Sequence, residues 1–182
     1  MADIGAPNSF LQRLIGAAAL DPAIYEEVEA DSGALGQAMI VVVLASLSAG
    51  VGAVGFGGTI TAAPVFAAVA LMSWAAWALV TFEVGSRVMP TAETRVSLGQ
   101  MLRTIGFAAA PGLISGLGFM PGLTRPVFIV SSVWMLVAMV VAVRHALDFR
   151  STARAVGVCV VGWVLAIGIA ALLGLVFSTA VS

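Results

Sequence analysis

The chain has 182 residues, of which 61% are hydrophobic and 9% charged, with a mean hydropathy of +1.12; soluble domains carry about 25% charge. Eight Arg, no Lys and nine Asp plus Glu give a net charge of −1. That is too little polar surface to coat a water-soluble globule, and it forms no basic face for nucleic acid. The single cysteine, Cys159, excludes an internal disulfide framework.

Residues Met1 to about Gly33 form the polar part of the chain. Asp3, Arg13, Asp21 and the lack of a long apolar centre set this stretch apart from a signal peptide, so it is expected to remain in the mature protein. Between Ser9 and Leu20, Phe10, Leu11, Leu14, Ile15 and Ala18 recur at helical spacing, which predicts a helix lying along the membrane surface with Gln12 and Arg13 elsewhere on the wheel. Asp21-Pro22 reads as an N-cap and first helical position, opening a second helix with Ile24, Tyr25 and Val28 on one side and Glu26, Glu27 and Glu29 on the other. The first 33 residues carry a balance of −5 and the remainder +4. The acidic helix reads either as a docking surface for a basic partner at the cytoplasmic face or, the favoured expectation, as a solvated face resting against the protein's own basic loops; anionic lipid attracts the opposite charge.

Five apolar runs follow, each able to cross a hydrocarbon core of about 30 Å. They are Ala38–Gly58, Ala62–Phe82, Ile105 to about Leu123, Val127–Val143 and Ala155–Phe177. Their continuous apolar character predicts an all-α, polytopic helix bundle of five transmembrane helices (34–182) preceded by an interfacial helical segment (1–33), not a barrel. With the N-terminus inside, Arg13, Arg87, Arg95, Arg103, Arg144, Arg150 and Arg154 are cytoplasmic and only Arg125 is outside, which favours N-in, C-out.

Gly50-Val51-Gly52-Ala53-Val54-Gly55 fits a dinucleotide-binding glycine pattern, yet another apolar span follows it and no acid lies between it and Glu83. Helix packing and a tight turn near Gly57 and Gly58 are the expected roles. Gly112 and Gly116, Gly118 and Gly122, and Ala166 and Ala170 are spaced four apart, as small residues at helix contacts are. Pro111 and Pro121 predict a kinked or broken third helix. Broken helices line transporter sites, but the spans hold only neutral polar groups, among them Ser46, Ser48, Ser73, Ser115, Ser131 and Ser132, whereas transporters usually place ionisable groups near mid-membrane.

Glu83 and Arg87, and in reverse order Arg144 and Asp148, are spaced as helical ion pairs. Were Glu83 drawn inward, pairing with Arg87 or Arg103 would matter more. One His (His145) and one Cys supply no zinc set, and no activated serine is visible. No cofactor, metal or catalytic set is therefore expected. Trp74, Trp77, Trp134 and Trp163 read as packing and interface residues.

Gly106-Phe107-Ala108-Ala109-Ala110-Pro111 resembles the glycine, aromatic, three residues, proline pattern of the Yip1 domain. Trp134-Met135-Leu136-Val137, the stretch Val143-Arg144-His145-Ala146-Leu147-Asp148-Phe149, and Thr152-Ala153-Arg154-Ala155-Val156-Gly157 look like the fourth span, inner loop and fifth-span start of bacterial members. The resemblance covers about Leu35 to Ser178 and implies five spans with a cytosolic N-terminus. Eukaryotic relatives act in vesicle traffic between endoplasmic reticulum and Golgi and associate with Rab-type GTPases. Their Asp-Leu-Tyr-Gly-Pro type signature is replaced here by Glu29-Ala30-Asp31-Ser32-Gly33-Ala34, so GTPase binding does not carry over.

The short N-terminus and Lys-free composition point to a bacterial inner-membrane protein. Its expected role is non-enzymatic, acting through helix packing and contacts with a membrane-protein partner or a second copy. The alternative is a small transporter or channel. The candidate structural or interaction residues are Glu83, Arg87, Arg103, Gly106, Pro111, Gly112, Arg144 and Asp148.

Overall fold

The computed structural model describes residues 8–90 and 96–165, which are helical with no strand among them. Two short helices, α1 (Phe10–Ala18) and α2 (Pro22–Ala30), precede the long helices α3 (Leu35–Ala53) and α4 (Ala63–Glu83). Then come α5 (Leu98–Phe107), a 3-10 segment (Ala110–Phe119), α6 (Thr124–Ala146) and α7 (Thr152–Leu165). Three stretches, Ser32–Phe56, Ile60–Val88 and Thr124–Ala146, are long and apolar enough to cross a membrane, and α5 with the 3-10 segment makes a fourth if taken as one bent span. Of the expected fifth span, Ala155–Phe177, the part beyond Leu165 lies outside the described residues.

Helix α3 is the axis of the bundle, packed along the 3-10 segment, α4 and α5, while α6 covers the other side of the 3-10 segment and α5. Gly57, at φ 97°, makes the left-handed turn between α3 and α4 that a residue with a Cβ resists. Beyond α4 the chain widens into a π-helical turn, Val84–Val88, closed by the Met89 N–H donating to the Val84 carbonyl.

The third span is broken, but not where hydropathy puts it. It begins seven residues before Ile105, at Leu98, with a capping box in which the Ser97 hydroxyl accepts from Gln100 N–H and the Gln100 side chain accepts from Ser97 N–H. It bends by 42° between Phe107 and Ala110. The cause is local: Pro111 has no N–H for the Phe107 carbonyl, so the chain shifts to a tighter pattern in which Ala109 N–H donates to Gly106 and Gly112 N–H to Ala109.

That change of helix type also changes which small residues meet α3. A 3-10 helix repeats every three residues, so Gly112, Ser115 and Gly118 share one buried line, in place of the four-residue pairs Gly112/Gly116 and Gly118/Gly122. Gly112 meets Ala45, while Gly52 of α3 and Gly55 of the 3-10 turn that follows it lie so close to the backbones of Ser115 and Gly118 that a Cβ at either would overlap a carbonyl. The glycine run that mimics a nucleotide loop is thus a close helix contact. Gly122 takes a left-handed turn at φ 80°, and Ala166 and Ala170 lie outside the described residues.

Asp21 caps α2 as its sequence predicts, accepting from Ala23 N–H at 3.0 Å with Pro22 in the first turn. Helix α1 departs from the simple wheel. Arg13 and Ala17 are buried, whereas Leu11 and Ile15 are each 60% exposed, so the charged residue faces the protein and two large apolar residues face outward. Helix α1 also lies beside the bundle: Trp134, near the middle of α6, donates its indole N–H to the Ala18 carbonyl at 2.8 Å.

Candidate interaction site at the arginine-rich end

The starts of α3 and α5 and the ends of α4 and α6 share one end of the bundle, and the α1–α2 hairpin is fastened there by two buried arginines. Arg13 meets Glu27 and Asp31, each at 2.8 Å, and donates to Gln37 on α3 at 3.1 Å. Asn8 adds backbone and side-chain donors to the Glu27 carboxylate. Against the opposing pull of partial desolvation, the bonds from Asn8 and Arg13 hold the Glu27 carboxyl below its usual range. Asp31 is lowered chiefly by its bond to Arg13, aided by the Gly33 N–H. Desolvation works against the Arg13 charge too, but its two carboxylate partners win and raise its pKa.

Arg103, 8% exposed on α5, performs the second attachment. Its Nε donates to the Val28 carbonyl at 3.0 Å and its Nη2 to the Glu29 carbonyl. These carbonyls belong to the last turn of α2, where carbonyls lack intrahelical partners and a cation is favoured. Gln100 donates to the Glu29 carboxylate at 3.1 Å. Burial first, then the negative charge of Asp148, raises the Glu29 pKa. The acidic helix therefore rests on the chain's own polar groups. Tyr25 is fully buried, donates to the Ala17 carbonyl at 2.9 Å and stacks on His145 of α6 with ring centroids 6.3 Å apart.

Glu26 and His145 approach to 3.6 Å at the rim of a hollow of about 300 Å³, bounded also by Glu29, Arg144, Asp148 and Phe149. It lies between α2, the end of α6 and the turn before α7, and brings acids and bases to one place.

The sequence-derived residues divide as follows. Glu83 and Arg87 form an exposed pair at 3.0 Å, on the shift from α4 to the π-helical turn; Arg103 is committed to α2, not to Glu83. Arg144 and Asp148 lack helical register because α6 ends at Ala146 and Asp148 takes the left-handed conformation, φ 51°. Arg144 donates instead to the Phe149 carbonyl at 3.4 Å, and the two residues form no ion pair among the described residues. Gly106 lies against Ala38, while Pro111 and Gly112 are in the 3-10 segment, remote from the hollow. Sequence reasoning missed the Arg13 cluster and the α2 carbonyls as Arg103 partners. The signal available was an arginine amid apolar residues in each helix, since a buried charge requires partners.

The profile of the Yip1 domain matches residues 18–173. The chain belongs to the Yip1 domain family, and the matched region takes in α2 as well as the long helices. No curated protein and no solved structure matches it. A Yip1-family protein with several membrane-spanning apolar helices is a multi-pass membrane protein.

Proposed function

We propose that this Yip1-family protein is a non-enzymatic membrane component that works by holding a partner, an assembly factor or accessory subunit whose docking surface is the mixed-charge hollow at the arginine-rich end. One observation carries this reading: Arg13 and Arg103 are used to clamp α1–α2 against the spans, and the clamped hairpin presents Glu26 beside His145, Arg144 and Asp148 on a rigid rim. Polar groups of both signs on a fixed surface suit recognition of a partner's charged residues.

This surface faces the cytoplasm of a bacterial inner membrane, with the C-terminus on the other side. The grouping of Arg13, Arg87, Arg103 and Arg144 at one end of the bundle, opposite Arg125 at the start of α6, supports that orientation. The five-span, interfacial-hairpin organisation belongs to the same proposal.

Purification of the intact protein in mild detergent tests it. A partner or second copy that co-purifies in fixed stoichiometry with wild type and is lost from Glu26→Arg is the expected result. A lone wild-type chain that moves solute across liposomes would replace it with the second reading, a small transporter, which the 42° break in the third span favours. Reporter fusions at Gly33 and Ser182 check the orientation.

A further inference from the structure

We propose that α1 is a curvature-selective lipid contact: a stripe on its outer side inserts between the lipids of the leaflet that holds it and draws the protein toward membrane that is convex on that side. None of the stripe's residues lines the mixed-charge hollow, so the inference stands apart from the docking surface.

The stripe follows from exposure. Leu11 and Ile15 are each 60% exposed, and Ala19, four positions further on, is exposed as well; residues four apart share one side of a helix. The one charge of α1, Arg13, is on the opposite side, enclosed by Glu27, Asp31 and Gln37. Helix α2 is arranged the other way, with Ile24, Tyr25 and Val28 buried and Asp21 and Glu26 exposed. The hairpin therefore turns apolar side chains outward from one helix and acids from the other.

Lipid is the occupant because the stripe continues a surface that already faces acyl chains. Trp134 of α6 donates to the Ala18 carbonyl, and on the same span Ile129, Val130, Val133 and Val137 are exposed. Trp134 lies about 15 Å along α6 from Arg144 at 1.5 Å per residue. Even with the reach of an indole ring, the last turn of α1 is deeper in the bundle than the arginines.

Curvature selectivity follows from what the stripe lacks. A surface helix is held by its buried apolar area together with the attraction of its cations to anionic headgroups. Arg13 is engaged internally, so only the apolar area remains, and it amounts to two large side chains and an alanine. Such a stripe gains most where headgroups are spread apart, as they are on the convex side of a bent membrane. The outline of the bundle acts in the same direction. At the arginine-rich end the hairpin adds two helices, each about 10 Å across, whereas at the far end only the short connections 54–62 and 120–123 join the described helices.

Tethers pulled from giant phosphatidylcholine vesicles test this with the full-length chain. A tag before Met1, labelled from outside by an impermeant dye, reveals only those chains whose α1 is in the outer, convex leaflet. Wild type is expected to be enriched in the tether by about fourfold, the effect of burying one further CH2 group. Leu11→Ser combined with Ile15→Ser should abolish the enrichment and leave the melting temperature unchanged, since both side chains are exposed. Ala19→Leu, which adds to the stripe and removes nothing, should raise it. Phosphatidylglycerol in the membrane should alter none of these results. Equal wild-type density in tether and vesicle overturns the proposal, as does wild-type behaviour of both variants, or enrichment confined to phosphatidylglycerol membranes. Two-step photobleaching of wild type that becomes single-step in the serine pair would seat a second copy on the stripe and overturn it too.

Discussion

The guanidinium of Arg103 donates to the Val28 carbonyl at 3.0 Å, joining a bent span to a helix 75 residues earlier in the chain. This contact satisfies carbonyls in the last turn of α2 and ties the N-terminal hairpin to the bundle. Arg103→Ala leaves two α2 carbonyls without their donor, and a hydrogen bond to a charged group contributes about 1.5 to 3 kcal/mol. The expected result is a lower melting temperature and protease cleavage before Leu35 in detergent. Arg103→Lys keeps the charge but loses the planar fork, so it should fall between wild type and Ala; a Lys variant as unstable as Ala would show that charge contributes nothing at this position.

Acid should loosen the hairpin before it unfolds the spans. Glu27 and Asp31 have folded-state pKa values below their unfolded ones. The stability they contribute is present above the unfolded carboxylate range, about pH 4, and is lost as pH falls through the lowered folded values. Glu29 is shifted the other way, so its contribution is present at low pH and declines as pH rises through its raised value, partly offsetting the others. Hydrogen-exchange protection of α1 amides, relative to the unstructured chain at the same pH, should fall below about pH 4 while protection in α3 is kept. Glu27→Gln with Asp31→Asn should remove most of this pH dependence.

Leu11 and Ile15 point away from the protein, and α1 touches α6 as deep as Trp134. A fluorophore placed at either position should be quenched by brominated acyl chains, as expected for a helix whose outward apolar residues meet lipid. A label at Asp21, exposed in the turn after α1, should be quenched more weakly. Quenching by aqueous iodide alone at Leu11 would place the helix outside the membrane.

Gly52 and Gly36 lie on the same helix but differ in surroundings. A Cβ at Gly52 would overlap the Ser115 carbonyl, whereas one at Gly36 meets nothing within 4 Å. Gly52→Ala should cost about 1 to 3 kcal/mol by overpacking. Gly36→Ala should be neutral or gain up to about 1 kcal/mol from helix propensity. Thermal unfolding of the two variants in one detergent checks the contrast.

Much of this architecture is legible in the chain because the bilayer imposes length and composition on every span. The Asp21-Pro22 start of α2 is equally local, since cap and proline act within one turn. The inward turn of Arg13 is not: a helical wheel shows an apolar arc, but which edge of it meets protein depends on Glu27, Asp31 and Gln37 closing around the charge. Hydropathy places the third span at Ile105 because Arg103 looks like a membrane boundary, and only the α2 carbonyls, distant in sequence, make that charge tolerable. Spacing of four between Arg144 and Asp148 implies a pair only while the helix continues, and it stops between them.

The 3-10 stretch from Ala110 to Phe119 also acts as a measuring rod. At about 2.0 Å per residue, its ten residues cover about 20 Å, where α-helix would cover about 15 Å. Replacing Pro111 with a residue that let the coil relax to the wider form would leave the chain about 5 Å short of its far end and rotate Ser115 off Gly52. The missing amide proton of one proline thereby sets both the reach of this crossing and the alignment of its whole seam.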